Sequence, residues 1–404
     1  MKHSNSPLRA GFAFTAITAI ALSTVACSDD GGSSPDAGSG GDATETVSVG
    51  VITALSGSLG LYGETWLDGF TAGLDYVTDG TNVIDGKLIE VSEPYDDQGT
   101  PATAVTGATQ LVGDGASIIV GGGGSSSSLQ LATFAEENSM LYIAGFAATD
   151  ALTGINRNTF RSARQSYQDL AAAASLLDDP QNSEVAIFAQ DNEFGSSQVT
   201  SGTEVFEGAG ATVTPILVDA DTTELAPPAA EIAGSGADMM FTNWSGTTVA
   251  AMWEALSQQK VFDALDVVTP VTDRGAWPAY GNAAANIQFV SQAPLGSSDF
   301  AQDQQLFEEY PAGDPYTQNG WVTALLLAQA VSGGEAGDVD SQIAALEDFT
   351  FESPTGEMAV RAEDHALLQD MFILQLDDSS GSYEVSLVDT VPADDIVPPA
   401  VSNW

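Results

Sequence analysis

Cysteine occurs once in this 404-residue chain, histidine twice, and lysine and arginine together only nine times. A single cysteine excludes an internal disulfide, so burial and hydrogen bonding must hold the fold. Beyond the first 26 residues the only histidine is His365, in Arg361-Ala362-Glu363-Asp364-His365, far along the chain from the serine-rich loops. A Ser–His–Asp site needs a base beside its nucleophile. No G-x-S-x-G elbow and no CxxC, HxxxH or HExxH spacing is present, so a hydrolase or a metal enzyme finds little support. Two of the basic residues, Lys2 and Arg9, lie in the first nine positions, which leaves seven against 56 Asp and Glu. That balance excludes nucleic acid and anionic lipid surfaces as partners, since both need a basic face. Disorder is excluded by the 43% of hydrophobic residues, ample for a core. The expected result is a folded body with an acid-rich surface suited to a saline exterior.

What is present begins with a leader. Residues 1–9 carry Lys2 and Arg9 and no acid, and Ala10 to Ala26 is apolar apart from a few Ser and Thr. A charged start, a short apolar run and small residues before a cut make a secretory signal over 1–26, too short to span a bilayer comfortably. The end of the run, Ser23-Thr24-Val25-Ala26-Cys27, resembles the lipobox of prokaryotic lipoproteins, which implies acylation at Cys27. The other reading is an ordinary cleaved signal with an incidental thiol. Residues 27–45 are then Gly, Ser and Asp with almost nothing apolar, the composition of a flexible tether.

The body alternates strands and helices. Short β-rich runs are expected at Val47–Ile52, Leu88–Val91, Ser117–Val120, Leu141–Ala144, Glu184–Phe188, Thr212–Val218, Asp238–Phe241 and Val267–Thr269. Helical spacing follows at Trp66, Phe70, Leu74 and Val77, Thr100-Pro101 opens another helix, and one is expected from about Leu129. Met371–Leu376 and Tyr383–Leu387 read as a hairpin joined by Asp-Asp-Ser-Ser-Gly. Alternation of this kind indicates parallel sheets, too many strands for one, hence two α/β lobes.

Ligands of open parallel sheets sit at the C-terminal strand ends, where helix N-termini offer free N–H groups. The loop Gly121 to Ser128 suits a carboxylate or similar anion; as a flexible turn with an N-cap serine it would look the same. It is no P-loop, for no lysine follows the glycines. Thr149, in Ala147-Ala148-Thr149-Asp150, is a donor or a simple cap. Asp273 either meets an ammonium group or pairs locally with Arg274. Tyr62, Phe194 and Trp244, at strand exits, wall an apolar pocket, receive a cation, or pack in the core.

In family order, Val49-Gly50-Val51-Ile52-Thr53-Ala54-Leu55-Ser56-Gly57, Tyr62-Gly63-Glu64, Asp96-Asp97-Gln98-Gly99-Thr100-Pro101-Ala102, Val120-Gly121 with its serines, Ala148-Thr149, Phe194-Gly195, Thr272-Asp273, Ser353-Pro354-Thr355-Gly356 and Arg361–His365 resemble type I periplasmic binding proteins. The nearest kind is the leucine/isoleucine/valine binder of ABC importers. The resemblance implies two doubly wound parallel-sheet lobes joined by a three-crossover hinge that closes on a ligand. It places lobe one at 46–163 and 295–354 and lobe two at 164–294 and 355–404. It also implies a small-molecule ligand, an amino acid or amide-like solute, held by Ser125 and Thr149 at its carboxylate with help from Ala147 or Ala148. Asp273 would take the ammonium, with Tyr62 above the ligand and Phe194, Trp244 and Ser245 facing it. Departures are Phe194 in place of a hydroxylated aromatic, Trp244-Ser245 in place of a Gly/Tyr-rich turn, one extra residue before Thr149, and Arg274 beside Asp273. The implied protein is a monomer without cofactor or enzymatic activity, exported, lipid-anchored at Cys27 and partnered with ABC permease subunits. Binding of amides, urea or aromatic acids on the same fold and a ligand-sensing receptor module are the alternatives; for the latter a signalling domain would be expected.

Overall fold

A computed structural model of the chain describes residues 43, 45–377 and 383–404. The leader, Cys27, most of the tether and most of the turn between the last two strands lie outside the described residues. Two seven-stranded sheets carry the body. The first is built around the strand Glu45–Thr53, which pairs in parallel with Lys87–Val91 on one side and Ile118–Gly121 on the other. Leu141–Ala144 and Thr159–Arg161 extend it, again in parallel. The second sheet runs in parallel through Thr212–Asp219, Glu184–Asp191, Met239–Thr242, Asp266–Pro270 and Ile287–Ser291. Two antiparallel strands, Met371–Asp377 and Glu384–Val391, complete its edge.

Both faces of each sheet are covered, and the two-residue strand period sorts the side chains. In the first sheet Val47, Val49 and Val51 belong to one core layer, while Ile52 and Ile119 belong to the layer opposite. In the second, Ala186, Phe188 and Met240 point one way and Val185, Ile187 and Phe241 the other. Burial on both faces explains why these strands read as nearly continuous apolar runs. The expected α/β architecture is therefore what the chain adopts.

The chain passes between the two lobes three times, after Arg161, after Ser291 and after Leu368. The last crossing differs from the expected division at 354/355. That point falls inside a small antiparallel sheet, Thr350–Ser353, Gly356–Val360 and Leu367–Leu368. Met358, Val360 and Leu367 bury themselves in the first lobe's core, so the hairpin stays with that lobe. This small sheet was not foreseen, and neither were the short strands Thr159–Arg161 and Ile287–Ser291. The helix expected from about Leu129 starts at Ser125. No helix among the described residues is long and apolar enough to cross a membrane.

Candidate functional site

The C-terminal ends of the parallel strands of both lobes face a cavity of about 250 Å3. At roughly 30 Å3 per water, it holds about eight waters or a solute of similar heavy-atom count. Its first wall is the loop after Ile118–Gly121. Gly121, Gly122 and Gly124 all have left-handed φ, at 105°, 110° and 152°, which only glycine adopts without strain. A Cβ on Gly121 would also lie 2.0 Å from the Ile52 carbonyl oxygen. Buried Asp97 fixes this loop by accepting the N–H groups of Gly99 and Gly123, each at 2.8 Å. Tyr142 adds a hydroxyl bond to the Gly121 carbonyl at 2.9 Å.

The loop thereby aims the first turn of the helix Ser125–Glu137 at the cavity. Gly124 supplies no side-chain cap and the turn contains no acid. Its N–H groups and the positive end of the helix dipole are left for an anion. Ser125, Ser126 and Ser127 line the cavity, and the Ser127 hydroxyl is buried with no hydrogen-bond partner.

A cation lines the same cavity as this helix end. Arg164, on the first crossover, lines the cavity and is 6% exposed. Its Nε lies 3.1 Å from both Asp169 carboxylate oxygens, and a terminal nitrogen is 3.0 Å from one of them. Burial is the largest influence and works against the guanidinium charge, but Asp169, Tyr316 and Asp150 together outweigh it and hold the pKa above its ordinary value. Neighbouring Arg161 has a different task. Its nitrogens donate to the carbonyls of Ala147, Thr149, Ala163 and Arg164 and to the Thr153 hydroxyl, at 2.7–3.1 Å. Burial lowers its pKa to about 10. It braces the 147–153 loop, and the Ala147 carbonyl is occupied by it.

Aromatic rings close the remainder. Tyr62 stacks on Tyr316 with centroids 4.6 Å apart, and Phe146 meets Tyr316 edge-on at 5.6 Å. Phe194, Gln190, Ser245, Glu193 and Asp221 face them from the second lobe.

Of the residues singled out in the sequence, Tyr62, Ser125, Ala147, Ala148, Phe194 and Ser245 come together around the cavity. Three do not line it. The Thr149 hydroxyl is engaged by Glu193 at 3.1 Å and accepts the Ala151 N–H, so it acts as a cap. Trp244 is core: its ring lies 4.8 Å from Phe188 and its Nε1 donates to Thr248 at 2.9 Å. Asp273 is 4% exposed and accepts the Ala276 N–H at 3.0 Å, and burial raises its pKa above the ordinary carboxylate value. Arg274 turns away from it, donating to the Gly313 carbonyl. Sequence reasoning missed Arg164, although scarcity marked it: with so few basic residues, one beside a crossover stands out.

Asp314 lies two residues before Tyr316. It caps the helix Pro315–Gly333, accepting the N–H groups of Tyr316 and Thr317 at 2.9 and 3.2 Å. Burial, more than these bonds offset, raises its pKa to about 7. The folded chain then holds a proton that the unfolded chain releases near pH 4. Stability contributed here is full below pH 4 and falls as pH rises to about 7, by at most ~4 kcal/mol. Asp314→Asn keeps the cap, and urea unfolding of this variant is expected to show a flatter pH dependence across that window; an unchanged slope would remove Asp314 as the cause.

Comparison with known proteins agrees with this geometry. The model of the periplasmic binding protein family matches residues 46–382, and the chain belongs to that family. A Leu/Ile/Val-binding protein of Rhizobium johnstonii is 25% identical over 178 residues, 44% of this chain and 47% of its own length. The matched stretch thus spans less than half of that relative. An ABC-type branched-chain amino acid transporter structure from Rhodopseudomonas palustris superposes with a TM-score of 0.75 at 24% identity, over 89% of this chain and all of the other. A solute binding protein of an ABC transporter from R. palustris, in complex with 4-hydroxybenzoate, gives 0.78 at 21% identity, over 86% and 97%. At such identities the likeness is one of fold.

Proposed function

We propose that this chain is the extracytoplasmic solute-binding subunit of an ABC importer, held to the membrane by a lipid on Cys27. It captures a small carboxylate-bearing solute as its two lobes close, and passes it to permease subunits. It works as a monomer, as a binder and not as an enzyme. One observation carries this reading. An uncapped helix start with an unpaired buried serine hydroxyl shares with a buried arginine a cavity sized for a small molecule. Charge-assisted hydrogen bonds to a carboxylate are the strong use of such a set.

The favoured solute is an amino acid of the branched-chain type, the class named for the Rhizobium relative. Its carboxylate meets Ser125, the helix N–H groups and Arg164, and backbone at Ala147 or Ala148 lies alongside. Its ammonium finds Glu193 or Asp221, the acids that line the cavity, since Asp273 and Thr149 are engaged elsewhere. A second reading, an aromatic acid, draws on the Tyr62, Tyr316, Phe146 and Phe194 wall and on the 4-hydroxybenzoate in the R. palustris protein.

A thermal-shift panel of amino acids, aromatic acids, amides and urea tests this, because a ligand of the folded state raises the melting temperature. Acids are expected to shift it, and neutral amides and urea to leave it unmoved. With the acid that shifts most, Ser125→Ala is expected to cost about 1.5–3 kcal/mol of binding by calorimetry, the value of a hydrogen bond to a charged group. Unchanged affinity in that variant would remove Ser125 from the site.

A further inference from the structure

We propose that Asp150 is a positioning residue of the cavity: its carboxylate joins the lobe-one loop 147–153 to the lobe-two helix Glu193–Ala209 and so sets where the cavity end of that helix stands. This rests on the reading above that a solute is held between the two lobes.

The helix opens at the cavity. Asn192 caps it by accepting the Gly195 N–H at 2.9 Å, and Glu193 and Phe194 line the cavity. Glu193, Ser197 and Ser201 follow one another at four-residue spacing and so share one face of the helix. That face meets two consecutive residues of lobe one. The Thr149 hydroxyl donates to the Glu193 carboxylate at 3.1 Å. The Ser197 hydroxyl accepts the Asp150 N–H at 3.0 Å and donates to Asp150 Oδ2 at 2.9 Å. The Ser201 hydroxyl donates to the same oxygen. Both serines are buried, so these bonds form away from bulk water, where each counts for more.

The other carboxylate oxygen faces the first crossover. Oδ1 accepts the Tyr167 N–H at 3.1 Å and Gln165 Nε2 at 3.3 Å. From one point on lobe one, the carboxylate thus ties down the start of the helix Ser166–Ala174 and the flank of Glu193–Ala209. Its own loop is held in place, since Arg161 donates to the Ala147 and Thr149 carbonyls and the Ser166 N–H donates to that of Ala148 at 2.8 Å. Donors from Ser197, Ser201, Tyr167 and Gln165 occupy both oxygens, so Asp150 acts on a solute through Glu193 and Phe194 and not by touching it. Without the carboxylate, the serine hydroxyls can turn to carbonyls one turn back on their own helix. The helix then survives, and what is lost is its hold on lobe one.

Amide-resolved hydrogen exchange on the full chain, without added solute, tests the joint at the Ser166 N–H, whose acceptor is Ala148 and not Asp150. Asp150→Ala leaves that bond both its partners, yet is expected to speed exchange there on the order of tenfold as the loop parts from lobe two. Ser201→Ala is expected to act in the same direction, more weakly, and to add little on top of Asp150→Ala. Asp150→Asn is expected to recover most of the protection, because its amide can accept from Tyr167 and donate to the serine hydroxyls. The core strand Met239–Thr242 is expected to stay protected throughout. Calorimetry with L-leucine and benzoate gives the second readout. Asp150→Ala is expected to weaken whichever of them binds by about tenfold, and Asp150→Asn to restore most of that, since affinity falls with the population in which both walls are in place. Exchange at Ser166 that is unmoved in Asp150→Ala, unrecovered in Asp150→Asn or already fast in the wild type would overturn the joint. Faster exchange with undiminished affinity would reduce Asp150 to a purely structural role. Ser125→Ala separates this from the solute reading: it is expected to weaken binding and to leave exchange at Ser166 unchanged. A chain that binds no member of the solute panel yet shows the exchange effects would overturn the proposed function and keep the joint.

Discussion

Arg164→Met is expected to lower the unfolding free energy by about 3–5 kcal/mol and to abolish solute binding. The stability loss does not come from a missing attraction alone. Asp169 is buried at 1% side-chain exposure, and once the guanidinium is gone its remaining side-chain donor is Asn243 at 3.4 Å. An uncompensated buried charge carries the larger share of that cost. The effect on binding has a separate origin, the positive charge at the cavity wall, and a second variant divides the two. Replacing both partners, Arg164→Met with Asp169→Leu, removes the stranded carboxylate and is expected to recover most of the stability. Binding is expected to remain lost. Urea unfolding and calorimetry on both variants check this. A double variant that regains stability and still binds would make Arg164 purely structural.

Gly69→Ala comes next in size. Alanine in place of an ordinary helical glycine stabilises by up to ~1 kcal/mol, and here the sign reverses. The helices Gly60–Thr78 and Pro315–Gly333 touch backbone to backbone: a Cβ on Gly69 would lie 1.7 Å from the Thr317 carbonyl oxygen, and one on Gly320 2.0 Å from that of Trp66. Neither obstacle is a side chain that can swing aside, so the helices must part along their whole contact. The expected loss exceeds about 3 kcal/mol. Gly208→Ala in the helix Glu193–Ala209 is the control, for nothing lies within 4 Å of its Cβ. Denaturant midpoints are expected to fall sharply for Gly69→Ala and to hold or rise for Gly208→Ala. Equal shifts would mean that the helix crossing is looser than the structure shows.

Much of this fold was legible because a parallel sheet covered on both sides writes itself as apolar runs between turn residues. Leu141–Ala144 appears where the sequence places it, and the Gly121–Ser128 loop at the cavity wall where its glycines and serines suggest. What escaped has physical reasons too. Ile287–Ser291 offers only five residues, and it is held between Asp266–Pro270 and the distant strand Met371–Asp377, the second partner supplied from the far end of the chain. The hairpin at 350–360 stays with lobe one because Met358 and Val360 find their core there, a tertiary matter with no local signal. At the site, residue type named the candidates and orientation decided among them. Thr149 and Asp273 are the right chemistry in the right loops. Whether such a group faces a ligand or a neighbour depends on what meets it, Glu193 from another element for Thr149 and the Ala276 N–H of its own turn for Asp273. Trp244 shows the same ambiguity for aromatics, since a ring at a strand exit serves a wall or a core equally well.

The most direct test of the carboxylate site is calorimetry with matched pairs, L-leucine against L-leucinamide and benzoate against benzamide. Each pair keeps the shape and removes the anion. The account predicts that at least one acid binds and that its amide binds at least a hundredfold more weakly, about 2.7 kcal/mol. An amide that binds as tightly as its acid would contradict the helix start and Arg164 as an anion site.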